Sequence, residues 1–211
     1  MSATGALSRA AGAAYETADG LERYHAYMGW SASDHATLRM NFAHADGTNV
    51  VFLRKGGRRT ITVYGPGGAR IGQFHFDGMR AAVRKGSQRV AVRWDDRHLG
   101  YMRTLYRVLS NDLLGSTTDA RIEGPIRKAT IRTPDGDTFE AWFSIDDGHF
   151  LAAFLPAAGH GVLLEARGFR QITSDGRRAI VAWNVRGTGS VALTKLDIRS
   201  PITDAELDGD S

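Results

Sequence analysis

The chain has 211 residues, a formal net charge of +4 and no cysteine. That length fits one core of roughly 150 to 200 residues, and the missing cysteines exclude disulfides, thiolate metal sites and cysteine nucleophiles. No run approaches the ~18 apolar residues that a spanning helix needs, so no membrane partner is expected.

Met1 to Ala14 have neither the basic start nor the apolar run of a secretory signal. Residues 1–14 therefore read as a flexible tail, with the cytoplasm as the default compartment. Leu21, Tyr24, His25 and Met28 recur at helical spacing, and Gly29 is placed to end that helix. From Ala36 the period becomes two. Strands are predicted at Ala36–Phe42, Asn49–Leu53, Thr60–Tyr64, Ala69–Phe76, Met79–Val83 and Gln88–Trp94, separated by short glycine turns that imply a six-strand antiparallel meander.

Leu99, Met102, Tyr106, Leu109 and Leu113 then fall on one helical stripe, with Arg103 and Arg107 one turn apart elsewhere. Asp95 or Asp96 can cap this helix and Gly115 can end it. After Thr118 the alternation returns, as in Phe139, Ala141, Phe143, Ile145 and in Ala179, Val181, Trp183, Val185, with turns such as Pro134-Asp135-Gly136. Residues 15–200 are expected as a single β-rich α+β domain, predominantly antiparallel. It comprises a short N-terminal helix, the meander, an amphipathic helix and a second strand set, closing a sandwich or partly open barrel. Residues 201–211, rich in acids, are expected to be disordered.

Charge is distributed unevenly. Lys+Arg less Asp+Glu is −2 over residues 1–53, +10 over 54–107 and −4 over 108–211. The middle segment carries Arg54, Lys55, Arg58, Arg59, Arg84, Lys85, Arg89 and Arg93, and planar guanidinium forks suit phosphate. These residues predict a non-enzymatic module binding an anionic macromolecule, RNA or DNA being favoured, through a basic surface. The acidic C-terminal segment could fold back onto that surface. Oligomeric state stays open, and a structural or assembly role is an alternative.

An enzyme is the other alternative. Asp95, Asp96 and His98 supply carboxylates beside an imidazole, the material for acid/base chemistry, although aspartates at a helix start also cap it. The histidines show no metal-ligand spacing, so neither a metal nor a cofactor is expected. Tyr64 on a strand, the run Leu164-Glu165-Ala166-Arg167-Gly168-Phe169-Arg170 and Trp183 follow an order of features that resembles the ribosome-inactivating rRNA N-glycosylases. The resemblance implies a hydrolytic role for Glu165 and base stacking by Tyr64. The chain departs from that family in having no arginine three residues after Glu165, and Pro156, Gly159, Gly161 and Gly168 oppose the helix the motif occupies there.

Overall fold

A computed structural model describes residues 20–30, 36–156, 161–198 and 200–209. These residues are mostly antiparallel β, with three short helices. The first half contributes α1 (Gly20–Met28), β1 (Thr37–His44), β2 (Asn49–Lys55), β3 (Arg58–Tyr64), β4 (Arg70–Phe76), β5 (Ala81–Lys85) and β6 (Gln88–Val92). Then come α2 (Arg97–Leu109), β7 (Ser116–Glu123), β8 (Ile126–Arg132), β9 (Thr138–Ser144), β10 (Phe150–Pro156), β11 (Gly161–Gln171), β12 (Arg178–Val185), β13 (Gly189–Asp197) and α3 (Asp204–Asp208). The expected N-terminal tail, residues 1–14, lies outside the described residues.

All thirteen strands join one sheet in the order β6-β5-β4-β3-β2-β1-β13-β12-β11-β10-β9-β8-β7. Each half runs through sequential neighbours, and the halves meet edge to edge where β1 pairs with β13. The alternating pattern sends one set of side chains to each face. Helices α1 and α2 pack on the inner face and α3 on the outer one.

Directly opposed residues trace the inner face across the first half. Met40, Phe52, Ile61, Phe74, Val83 and Val90 form one row, and Leu38, Arg54, Arg59, Phe76, Ala81 and Val92 the next. Tyr106 of α2 stacks on Phe52 and lies 5.9 Å from Phe42. In the second half Tyr24 of α1 meets Phe143 and Phe150, and Phe150 meets Trp183. One continuous core thus runs along the inner face.

The sheet is strongly curled. Arg59 in β3 and Asp135 in the β8–β9 turn are seven steps apart in strand order, roughly 34 Å on a flat sheet at ~4.8 Å per strand, yet they bond at 2.7 Å. A twist of roughly 20–25° per step also turns the strand direction by about 140–175° over that distance. Opposite ends of the two halves are thereby brought face to face.

One helix end and one terminal segment differ from the sequence expectation. Helix α2 starts at its Asp96 cap, whose carboxylate accepts from His98 N and Leu99 N, but it stops at Ser110 rather than at Gly115. The stop comes from Asn111, which takes a left-handed φ of 60°. Its buried side chain accepts a hydrogen bond from Ile180 N at 2.7 Å, and its carbonyl accepts one from the Tyr24 hydroxyl. Segment 201–211 also differs from a disordered tail over its described part. Thr203 and Glu206 form a capping box, Gly209 closes the helix in a left-handed conformation, and Leu207 is buried with Leu53 and Ile202. A few apolar residues among the acids suffice because a partner surface lies waiting.

Candidate functional site

The basic residues that are neighbours in the chain are divided by the sheet. Arg54 and Arg59 point inward, as the opposed rows require. Asp112 accepts from Arg54 and from Arg107 of α2, the latter at 3.0 Å, and Asp135 accepts from Arg59 and Arg107 at 2.7 Å each. Arg103, one turn before Arg107, makes a two-pronged bond with Asp137 at 2.7 and 2.8 Å and lies 4.1 Å over the Trp94 ring. Burial works to raise the Asp135 carboxyl, but Arg59 and then Arg107 outweigh it and hold the group below its ordinary range. Burial, followed by the charge of Arg107, pulls Arg59 down.

The outward set meets α3. Asp204 accepts from Lys55 at 3.2 Å and from Arg58 at 3.0 Å, while Asp208 accepts from Arg58 at 2.9 Å and from Arg89 at 3.0 Å. Arg84 donates to the Gly209 carbonyl at 2.6 Å. His75 Nδ1 donates to the Leu207 carbonyl at 3.1 Å. Burial, then Arg89, pushes the His75 imidazole down to about 4. Lys85 is exposed at the end of β5, and Arg93, 84% exposed, pairs with Asp95.

These placements correct the expectation of an open basic surface for RNA, DNA or another anionic macromolecule. Of the eight cations, Arg54 and Arg59 are bound inside, Lys55, Arg58, Arg84 and Arg89 hold α3, Arg93 pairs with its neighbour Asp95, and Lys85 alone stands exposed at the end of β5. The charge is dense along the chain but is answered by acids from distant segments.

The proposed catalytic groups do not converge either. Asp96 caps α2, Asp95 is held by Arg93, and the His98 ring lies 6.3 Å from Phe74. The Arg93 hydrogen bond and charge keep Asp95 below its ordinary range. Glu165 sits on β11, where it accepts from Asn184 and Arg167, rather than on a helix. Tyr64 is on β3, five strand steps away, and Trp183 is buried in the core. The N-glycosylase arrangement is therefore absent. Among the described residues, no three His, Asp or Glu gather as metal ligands.

The residues that the structure does assemble are Asp112, Asp135 and Asp137, around the two helix arginines. Together they seal α2 into the curl where the β2–β3 side of the sheet meets the β8–β9 turn. A cavity of about 510 Å³ opens there, bordered by Trp94, Tyr101, Arg103, Asp137 and Pro156. The available signal was the arginine pair at i, i+4 on the side of α2 away from its apolar stripe. Nothing local pairs it with a turn some thirty residues on. The inner apolar row, in turn, is fully covered at Met40, Phe52 and Ile61, partly covered at Phe74 and Val83, and 39% exposed at Val90. Its cover fades toward the β6 edge.

No family model and no curated protein match the sequence. Among solved structures, a LolA-superfamily protein of Nitrosomonas europaea is similar, with a TM-score of 0.54 and 12% identity over 88% of this chain and 94% of that one. A DUF1329-family protein of Desulfovibrio piger gives 0.41, with 13% identity over 89% and 95%. A conserved protein of Thermus thermophilus gives 0.35, with 9% identity over 90% of each chain. The first likeness is one of fold. It adds to the correction above, since the fold shared is that of a LolA-superfamily protein rather than of a nucleic-acid-binding module.

Proposed function

We propose that the chain binds an apolar, lipid-like ligand on the inner face of a meander-built, partly open barrel, with α2 as the movable wall of the site. The observation that carries this reading is the way α2 is held. Its apolar stripe packs on the inner row through Tyr106 and Leu109, while its flank is fastened by ion pairs, Arg103 to Asp137 and Arg107 to Asp135 and Asp112. If α2 lifts into solvent its freed charges are hydrated, whereas the apolar row it leaves needs a substitute cover. An apolar chain lying along Phe74, Val83 and Val90 supplies one.

The test uses the neutral fluorophore N-phenyl-1-naphthylamine and an engineered lock. A Cβ at Gly100 of α2 would lie 3.2 Å from the Asp137 carboxylate, and the chain has no other cysteine to interfere. The intact protein should bind the fluorophore saturably. In the double variant Gly100→Cys/Asp137→Cys, oxidation should weaken binding at least tenfold and reduction should restore it. A protein that binds no fluorophore in either state, or binds equally in both, refutes the site.

A further inference from the structure

Helix α3 is five residues long, yet it and its cap touch six consecutive strands. Glu206 accepts from Arg39 of β1 at 2.6 Å, and Leu207 packs on Leu53 of β2. Asp204 and Asp208 hold Arg58 of β3, the Leu207 carbonyl takes His75 of β4, and the last turn takes Arg84 of β5 and Arg89 of β6. A peptide this short has no helix of its own in water, so its structure exists only while it is docked.

Its grip is of a particular kind. The apolar part is confined to Leu207 and Ile202 against Leu53 and Val51. Beyond β2 the contacts are polar: ion pairs with side chains that are 32–67% exposed, arginine bonds to carbonyls of the last turn, and the buried bonds of Thr60 and His75 to the Leu207 carbonyl. Exposed pairs of this sort are individually weak and screened by salt. The strands gripped by that polar part, β3 to β6, end in the five-residue strand β5 and the five-residue edge strand β6, whose inner side is only partly covered. With β3 fastened through Arg59 to Asp135, β4 to β6 form the free part of this wing and one wall of the inner-face site.

We propose that α3 is a releasable clasp: docked, it stiffens the β3–β6 wing from outside and slows exchange of the apolar ligand, and undocked, it lets the wing move and the ligand leave. This rests on the ligand reading above for its second half, while the mechanical half stands on the outer-face contacts alone. Regulation would then act on a segment far from the ligand, reached from the opposite face of the sheet.

The experiment compares the intact chain with one ending at Ile198 and with full-length Leu207→Asp and Arg58→Ala/Arg89→Ala. Amide hydrogen exchange in β4–β6 should speed up at least tenfold in all three, with β9–β12 unchanged. Release of N-phenyl-1-naphthylamine in stopped flow should accelerate about tenfold in parallel, and 1 M NaCl should move the intact chain in the same direction. A synthetic peptide of residues 200–211 added to the shortened chain should reverse both effects. Unchanged amide exchange in β4–β6 overturns the clasp whatever the ligand does. Faster amide exchange with an unchanged release rate overturns its link to the site. Failure of the intact chain to bind any fluorophore removes the ligand reading and that link with it, and leaves the amide data to decide the clasp.

Discussion

Arg59 and Asp135 are 76 positions apart in the chain and seven strand steps apart in the sheet, and their 2.7 Å bond fastens one wing of the curl to the other. Asp135 also holds Arg107, so one buried carboxylate joins β3, the β8–β9 turn and α2. Removing it strands the buried Arg59 guanidinium and leaves Arg107 with Asp112 alone. Such a loss costs about 3–5 kcal/mol, and Asp135→Ala should lower the unfolding free energy by that much in urea titrations. A loss below ~1 kcal/mol would mean that water enters the seam and takes over the two arginines.

Asn111 does three things at once: it turns the chain at φ 60°, satisfies Ile180 N and receives Tyr24. The contributions separate by substitution. Asn111→Gly keeps the turn and orphans a buried N–H, costing roughly 1–3 kcal/mol. Asn111→Ala adds roughly 1–2 kcal/mol for a side chain forced into the left-handed region. Equal destabilisation of the two variants would show that the backbone there relaxes.

His75 gives α3 a pH dependence of definite sign. Burial, then Arg89, depresses its imidazole from 6.5 to about 4 in the folded chain. The unfolded chain takes up this proton as pH falls past 6.5 and the folded one does not, so the stability present above pH 6.5 drains away down to about pH 4. Arg84 and Arg89 oppose the protonated ring, and Asp208 favours it. His75→Gln keeps a donor for the Leu207 carbonyl and cannot titrate. Denaturant midpoints measured between pH 7 and 4 should fall less steeply in this variant; parallel curves would place the proton elsewhere.

Much of the secondary structure was legible from periodicity, because each strand needs only its own alternation to bury one face. The strands from Asn49 to Val92, α2 with its Asp96 cap, and the hairpins of the second half all follow from patterns within about ten residues. The apolar residues Leu53, Ile202 and Leu207 gave no such signal, since three residues on two segments make no period. Asp135 likewise carries only the signal of a turn, and Asp112 and Asp137 carry none. Their arginine partners lie on β2, β3 and α2, and no local rule connects them.

The charge shows the division most clearly. Composition determined that cations crowd residues 54–107 and acids follow them, and alternation determined that Arg54 and Arg59 share one face while Lys55 and Arg58 share the other. Which face would be covered, and by what, was decided only when β1 paired with β13 and the accumulated twist swung the β8–β9 turn against β3 and let α3 lie across the outside. A side chain's period is a property of its own strand, but its partner is set by the path of the whole sheet, and that path turned an apparent binding surface into internal fastenings.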